Sequence, residues 1–342
     1  MQGSIHLFER LPQIDARPAA ANDHVLSAVR SSPLVGLIRN ARSHRNAGGD
    51  GGGGEPEGVI VTSPRRRSEL PGILADFAAR GVDCIAIDGG DGTVRDVLTC
   101  GAGVFGDAWP ALIVLPNGKT NALALDLGIP VGWTLDAALE AMRRGQAVRR
   151  QPIVISERAN PSAQVRGFIM GAGVFNRAIA LGQRSHDLGA FNAAAVGVTL
   201  VWSVLQALLG TRNNAWRRGT PMRLRGADGT EVPHYGGLPA EERYLMLAST
   251  LENFPVGIDP FRGISEKLRV AVLDNPRRSL ILRIGALARG TASEATMRRG
   301  GHVLGTEALD VDLADSFILD GEAFPAGHYR LTTGAKLRFV VP

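Results

Sequence analysis

Cysteine is scarce in this chain, whose 342 residues include only Cys84 and Cys100. Two thiols cannot build the set of disulfides that holds small secreted domains together, and their spacing does not match the ligand sets of structural zinc sites. We therefore predict that both side chains are buried apolar groups. The sequence assigns no protein-bound metal.

Aromatic residues are also few, at 5% of the chain, while Lys and Arg outnumber Asp and Glu by 38 to 33. The net charge of +5 favours anionic partners, such as nucleotide phosphates or an anionic membrane surface. Nucleic acid is disfavoured because the chain lacks the signatures of nucleic-acid-binding modules. The N-terminus has no basic segment followed by an apolar core, so a secretory signal is not indicated and a cytoplasmic location is expected.

The length of the chain exceeds one average domain, and its pattern changes along the sequence. Residues 1–32 have no convincing period and are interpreted as an N-terminal extension. In residues 33–146, short apolar strands alternate with helices, which predicts a nucleotide-binding α/β domain with a parallel sheet. Residues 147–342 contain many short strands separated by turn residues, which predicts a β-rich, antiparallel sandwich domain.

The densest cluster of special residues follows a short apolar strand and reads Gly89-Gly90-Asp91-Gly92-Thr93. Glycine lets the backbone turn sharply and lets a ligand approach without meeting a Cβ. A strand, a glycine turn and a helix N-terminus together present backbone N–H groups to an anion, usually a phosphate. This stretch therefore predicts phosphate binding, although a tight turn without a ligand is the alternative.

The same arrangement recurs after the apolar strand 111–115, where the loop 116–121 adds a cation and polar side chains. Asn40 follows the first strand, and the carboxyl end of a strand in an open α/β sheet is where ligands bind. A simple loop-starting role for Asn40 is equally compatible with the sequence. The glycine-rich stretch 48–54 is either a phosphate-covering loop or an inert insertion, and the insertion is favoured.

Residues 190–209 are nearly all apolar and include Phe191 and Trp202. Twenty such residues are about enough to span a bilayer, but Asn192 and Thr199 interrupt the run. We prefer an interfacial helix that lines an acyl-chain site, with the Arg/Trp-rich segment after it at the level of the lipid head groups. A plain core helix is the alternative, and a membrane span is disfavoured.

These motifs occur together and in order, and the chain resembles the diacylglycerol kinase catalytic family. This family also includes sphingosine kinases, ceramide kinases and bacterial lipid kinases. The stretches that carry the resemblance are Asn40 with Ser43, residues 89–93, residues 116–121 and Asp320-Gly321-Glu322. Ala41 replaces a proline of the family pattern and Lys119 replaces a threonine. Residues 251–260 also depart from the pattern, so no family metal site is carried over.

The resemblance implies a two-domain lipid kinase that uses ATP and Mg²⁺. The expected reaction is phosphorylation of a primary hydroxyl on a membrane lipid, with ceramide slightly favoured over diacylglycerol. The protein is expected to associate peripherally with the inner face of the membrane. The alternatives are a diacylglycerol or sphingoid-base kinase, an NAD kinase and a non-catalytic lipid-binding protein.

The resemblance also implies roles for individual residues. Glu322 or Asp91 is the candidate general base, and Asp320 belongs to the same catalytic group, although Asp-Gly is also a common hairpin turn. Asn176, Phe191 and Trp202 are candidate substrate contacts. The residues expected to hold ATP are Asn40, Thr62, Gly89, Gly90, Asp91, Gly92, Thr93, Gly118, Lys119, Thr120 and Asn121.

Overall fold

The computed structural model describes residues 8–14, 33–41, 43, 58–118, 121–177, 214–254 and 258–342. Its strands are β1 Val35–Arg39, β2 Val59–Thr62, β3 Cys84–Gly89, β4 Ala111–Pro116, β5 Ala147–Arg150, β6 Ile153–Glu157, β7 Gln164–Gly167, β8 Ile169–Gly173, β9 Thr220–Gly226, β10 Glu242–Arg243, β11 Leu245–Ser249, β12 Leu268–Leu273, β13 Gly301–Thr306, β14 Ala308–Leu313, β15 Phe317–Leu319, β16 Glu322–Phe324, β17 Gly327–Thr333 and β18 Leu337–Val340. Its α-helices are α1 Leu70–Arg80, α2 Asp91–Phe105, α3 Ala122–Asp126, α4 Leu135–Arg143, α5 Arg278–Ile281, α6 Ile284–Ala288 and α7 Glu294–Met297. Short 3₁₀ turns cover Arg67–Glu69 and Ala215–Arg217.

The first domain is built on a sheet with the spatial order β2, β1, β3, β4, β18, β5. The first four of these strands are parallel, as the alternation of strands and helices predicts. Every residue of β3 and β4 is buried, as expected for central strands of a parallel sheet that is covered on both faces. The α/β class predicted for this part of the chain is confirmed.

Two strands from the region that the sequence assigns to the second domain lie in the first sheet. β18 pairs in parallel with β4, and β5 pairs antiparallel with β18. The consecutive strands β5 and β6 thus belong to different sheets. Pro152 lies between them and cannot donate the backbone hydrogen bond that a continuous ladder requires.

The second domain contains two six-stranded sheets with antiparallel neighbours. Their spatial orders are β10, β9, β14, β17, β6, β7 and β13, β12, β11, β8, β15, β16. Side chains from both sheets share one core, for example Ile155 and Leu224 from the first and Met170 and Val270 from the second. The predicted antiparallel sandwich is confirmed.

Residues 8–14 pack on the second domain, although the sequence of the N-terminal segment shows no period. The Phe8 N–H donates to the carbonyl oxygen of Ala323 at 2.9 Å, and its ring stacks on Phe324 with the centroids 4.7 Å apart. Leu11 is 1% exposed within the sandwich core. These contacts join residues that are more than 300 positions apart, so no local sequence pattern predicts them.

Both cysteines are free and buried, as predicted. Burial, followed by the negative charge of Asp83, raises the pKa of the Cys84 thiol to about 12. The glycine-rich stretch 48–54 and the apolar segment 190–209 lie outside the described residues. Within the described part of the chain, no helix combines the length and the hydropathy needed to cross a bilayer.

Candidate functional site

The loops predicted to hold a nucleotide meet at the carboxyl edge of the first sheet. Asn40 follows β1, the glycine turn follows β3, and the loop 116–121 follows β4, and these strands are neighbours. The Asn40 side-chain amide donates to Thr93 Oγ1 at 2.9 Å, so two motifs more than fifty residues apart are in contact. Thr62 ends the edge strand β2 on the same side of the sheet, and its hydroxyl donates to the Leu37 carbonyl at 3.1 Å.

Gly90 and Gly118 bring the second and third loops into direct backbone contact. A Cβ at Gly118 would lie 2.3 Å from the Gly90 Cα, and a Cβ at Gly90 would lie 2.9 Å from the Gly118 Cα. Real Cβ atoms do not approach other carbons this closely, so both positions require glycine. Asn121 closes the loop, since its Oδ1 accepts from the Gly118 N–H and its amide donates to the Gly118 carbonyl, both at 2.9 Å. Lys119 and Thr120 lie outside the described residues.

The N-terminus of α2 points into this contact. Its N-cap residue is Gly90, which has no side chain to bind the N–H groups of the first helical turn. The N-terminus of a helix favours a bound anion through its backbone N–H groups and its dipole. The predicted order of strand, glycine turn and helix is thus present in the structure, and phosphate binding at this turn stays a prediction.

Asp91 organises the turn by binding the start of another helix. Its Oδ2 accepts from the Ala122 N–H at 2.8 Å, and its Oδ1 accepts from the Leu123 N–H at 3.1 Å. The carboxylate therefore satisfies the N-terminal donors of α3, which is the stabilising position for an acidic group. The contact gives Asp91 an organising role between the glycine turn and α3, and its role as general base stays a prediction.

Asp88 is a site residue that the sequence reasoning missed. It is buried at the end of β3, where its Oδ1 accepts from the Asn117 amide at 2.6 Å and its Oδ2 accepts from Arg39 Nε at 3.2 Å. One carboxylate thus fixes the ends of β1 and β4 on either side of the glycine turn. The available signal was a single charged residue in an otherwise apolar strand.

The Asp320-Gly321 pair forms the two-residue turn of the β15–β16 hairpin. Both residues have positive φ, at 46° and 86°, as a type I′ turn requires. The carboxylate of Asp320 does more than support the turn, because its Oδ1 accepts from the N–H groups of Phe168 at 3.1 Å and Ile169 at 3.0 Å. Glu322 is the first residue of β16 and pairs with Leu319 across the hairpin.

The carboxyl group of Asp320 lies within reach of the charge of Asp91. Burial is the main cause that raises the pKa of Asp320 to about 7, and repulsion by Asp91 raises it further. The backbone donors of Phe168 and Ile169 and the charge of Arg95 oppose this shift. The structure therefore brings together the nucleotide loops of one domain and the predicted catalytic hairpin of the other.

Arg95 connects the two domains at this point. It is 3% exposed, and its Nε and Nη2 donate to Asp96 Oδ1 at 3.1 and 2.9 Å. Its Nη1 reaches the Leu319 carbonyl at 3.5 Å, immediately before the Asp320 turn. The guanidinium also lies over the rings of Phe8 and Phe324, at 5.5 and 5.6 Å from their centroids. A helix that begins at the glycine turn thus holds the hairpin in place.

Asn176 lies away from this group. Its amide donates to the Ser316 carbonyl, and its Oδ1 is buried with no hydrogen-bond partner among the described residues. Ile169, which binds Asp320, starts β8, whereas Asn176 follows the other end of that strand. Since a strand rises about 3.3 Å per residue, the two ends of β8 are about 13 Å apart. The other two predicted substrate contacts, Phe191 and Trp202, lie outside the described residues.

The second domain contains an apolar cavity of about 320 Å³. Its lining includes Val174, Phe175, Trp216, Tyr244, Leu280 and Ile284. Trp216 belongs to the Arg/Trp-rich segment that the sequence placed after the apolar helix. Two of the lining residues, Val174 and Phe175, directly precede Asn176 in the sequence.

The described residues contain no group of three or more His, Cys, Asp or Glu side chains that could bind a metal ion.

Residues 57–153 match the model of the Diacylglycerol kinase catalytic domain. The proteins named "Probable lipid kinase YegS" in Escherichia fergusonii and in Shigella flexneri are 41% identical to this chain over 68 residues, which make up 20% of this chain and 22% of each relative. The matched segment thus spans about a fifth of the length of these curated relatives. The predicted resemblance to the diacylglycerol kinase catalytic family is confirmed over this part of the chain.

The likeness in fold extends further than the likeness in sequence. The crystal structure of a diacylglycerol kinase from Bacillus anthracis str. Sterne covers 92% of this chain and 98% of its own, with a TM-score of 0.59 and 15% sequence identity. The two-domain architecture described above is therefore shared with that protein.

Proposed function

We propose that the protein is an ATP-dependent lipid kinase, because residues 57–153 match the model of the Diacylglycerol kinase catalytic domain. It transfers the γ-phosphate of ATP to the primary hydroxyl of a membrane lipid. One observation carries the proposal: the contact of Gly90 with Gly118 at the N-terminus of α2 lies beside the carboxyl group of Asp320 from the other domain. In this proposal the phosphate site lies close to the carboxyl groups from which the proton acceptor is drawn.

The glycine loops hold the triphosphate in this proposal. The first turn of α2 offers backbone N–H groups, and Asn40 and Thr93 border the same loops. Lys119 adds a positive charge to the loop after β4, where an ammonium group neutralises phosphate oxygens. Mg²⁺ bound together with ATP would supply charge neutralisation at the phosphates.

In the reaction, the lipid hydroxyl oxygen forms a bond to the γ-phosphorus while the bond from that phosphorus to the β,γ-bridging oxygen breaks. The hydroxyl proton passes to a carboxylate, and ADP leaves with the bridging oxygen. Positioning and charge stabilisation supply most of the rate enhancement in such transfers. The proton acceptor contributes by removing charge from the attacking oxygen.

We assign the proton acceptor to Glu322. Asp91 and Asp320 each bind two backbone N–H groups, so both carboxylates already hold structural elements in place. Glu322 follows the Asp320 turn directly at the start of β16, within the Asp-Gly-Glu stretch for which the family resemblance implies this role. Asp91 and Asp320 act in this proposal as positioning residues.

The apolar cavity of the second domain supports a lipid acceptor over a soluble dinucleotide. Its lining of aliphatic and aromatic side chains suits an acyl chain, and its volume of about 320 Å³ falls in the range of small-molecule sites. Ceramide is favoured over diacylglycerol on the resemblance of the loop variants alone. We also propose a peripheral location at the inner membrane face, which the net charge of +5 supports.

The test is transfer of radiolabelled γ-phosphate from ATP to ceramide, diacylglycerol, sphingosine and NAD in mixed micelles with Mg²⁺. Label in ceramide or diacylglycerol supports the proposal and identifies the lipid class. Label in NAD alone would support an NAD kinase instead. A folded protein that binds lipid but labels none of the four would be a non-catalytic lipid-binding protein.

The assignment of Glu322 is tested with Glu322→Gln, which keeps the shape of the side chain. Its turnover should fall by about 10²- to 10⁴-fold while the KM for ATP stays the same. Glu307→Gln, a change at an exposed glutamate between β13 and β14, is the matched control and should keep its activity. Near-normal turnover of Glu322→Gln together with loss of activity in Asp91→Asn would move the proton acceptor to Asp91.

A further inference from the structure

A second cavity, with a polar lining, lies between the two domains and is separate from the glycine loops. It has a volume of about 230 Å³, and its lining includes Arg149, Arg150, Thr250, Glu252, Lys267 and Lys336. The first two residues belong to β5, and Lys336 precedes β18, so three cations come from the first sheet. The others follow β11 or precede β12 in the sandwich. Four cations thus surround one carboxylate.

Two of the cations are fixed by carboxylates. Arg150 Nη1 lies 3.1 Å from Glu252 Oε2, and its Nε donates to the buried Asp126 at 2.7 Å. Lys267 Nζ donates to Glu252 Oε1 at 2.7 Å, and this bond is the main cause that lowers the pKa of Glu252. Glu252 therefore stays ionised and holds two cations at the cavity wall.

The other two cations have no such compensation. In the described part of the chain, no carboxylate lies within ion-pair distance of Arg149 or Lys336. Both side chains are exposed at the mouth of the cavity, so they can reorient toward a ligand. Their positive charge favours an anion in this position.

Thr250 provides the independent observation that points to a ligand. It is 3% exposed and lines the cavity, yet its Oγ1 has no hydrogen-bond partner among the described residues. Its backbone N–H is already bound to the Phe168 carbonyl at 3.2 Å, so the residue is held firmly. Buried hydroxyl groups are almost always paired, and an anion in the cavity would supply the acceptor.

We propose that this cavity binds a phosphate group, either as a free phosphate ester or as the head group of an anionic lipid. Two uncompensated cations favour a dianion over a carboxylate, and a hydroxyl donor together with guanidinium and ammonium groups suits the several oxygens of a phosphate. None of the lining residues belongs to the nucleotide loops. The proposal therefore stands whether or not the kinase reaction is confirmed.

The first experiment titrates inorganic phosphate and glycerol 3-phosphate into the full chain by calorimetry at constant ionic strength. Thr250→Val removes only the unpaired hydroxyl, and Lys336→Gln removes an exposed charge, so both variants should fold normally in a urea-unfolding check. Each should bind phosphate about tenfold more weakly. Arg80→Gln, a change at an exposed arginine of α1 outside the cavity lining, is the matched control and should bind like the unaltered protein.

The second experiment distinguishes the two sources of phosphate. The same four proteins are sedimented with phosphatidylcholine vesicles that contain or lack phosphatidic acid. If Thr250→Val and Lys336→Gln bind phosphate more weakly in calorimetry and also sediment less with the phosphatidic acid vesicles, the site is open to free phosphate. If they lose binding only to the phosphatidic acid vesicles and show no loss in calorimetry, the ligand is a lipid head group. Equal binding by all four proteins in both experiments, or no binding in either, overturns the proposal.

Discussion

The carboxyl group of Asp320 makes the stability of this protein depend on pH in a way that one substitution can isolate. Asp320→Asn removes the titration and preserves the rest of the turn. Asn is well suited to the positive φ of 46° at this position, and its Oδ1 can still accept from the Ile169 N–H. The variant should therefore keep the hairpin and lose only the ionisation.

The sign of the effect follows from the two pKa values. The pKa of Asp320 is raised to about 7 in the folded protein, while an aspartate in the unfolded chain titrates near ~3.9. Between these values the folded state holds a proton that the unfolded state has lost. The group therefore contributes stability that is fully present below pH ~4 and is lost as the pH rises toward ~7. From pH ~5 to pH ~8 the unfolding free energy should fall by about 2 to 3 kcal/mol from this group.

Urea unfolding of the unaltered protein and of Asp320→Asn at pH ~5 and pH ~8 measures how much the ionisation of Asp320 contributes to the unfolding free energy. The difference in unfolding free energy between the two proteins should change by about 2 to 3 kcal/mol across the range. Asp315→Asn, an exposed aspartate shortly before β15, should show no such change. Asp91→Asn should shrink the pH dependence, because the charge of Asp91 contributes to the raised pKa. A difference that is the same at both pH values would refute the reasoning.

Two further substitutions test contacts that hold the site together. Gly118→Ala places a Cβ 2.3 Å from the Gly90 Cα, so ATP should bind at least about tenfold more weakly in a calorimetric titration. Gly72→Ala is the control, because Gly72 lies in α1 with open space around it, and this change should stabilise the fold by about 0.5 to 1 kcal/mol. Unchanged ATP affinity in Gly118→Ala would contradict the close contact of the loops. Arg95→Lys keeps the charge but cannot reach both Asp96 and the Leu319 carbonyl, so urea unfolding should show a loss of about 1 to 3 kcal/mol, and a loss near zero would argue against the bridge.

The local parts of the site could be predicted from the sequence because each depends on neighbouring residues. A buried strand followed by Gly89 and Gly90 and then a helical pattern specifies a strand, a turn and a helix N-terminus within about twenty positions. The Asp320-Gly321 turn is also local, since Asp-Gly between short strands favours a type I′ hairpin. In both cases the chemistry of the turn fixes the backbone without help from distant contacts.

The parts that the sequence did not reveal depend on partners far away in the chain. β18 joins the first sheet more than two hundred residues after β4, and Phe8 packs on Phe324. The sequence around Phe8 resembles that of an ordinary exposed segment. Phe8 is half-buried only because it packs on Phe324, which is distant in the sequence. Asp88 was overlooked for a related reason, since its role depends on hydrogen bonds with Arg39 of β1 and with Asn117 directly after β4.

Helix α2 makes the geometry of the candidate site depend on one rigid element. Its first residue, Asp91, binds the start of α3, Arg95 binds the carbonyl before the Asp320 turn, and Thr99 Oγ1 accepts from the Arg166 N–H of β7 at 3.0 Å. A motion that separated the domains at this point would have to break the last two bonds together, and both involve residues that are almost fully buried. We therefore expect the spacing between the nucleotide loops and the Asp320 carboxyl to be set by the fold of α2 before any substrate binds. Such preorganisation suits phosphoryl transfer, because that reaction depends mainly on fixed positions and charges.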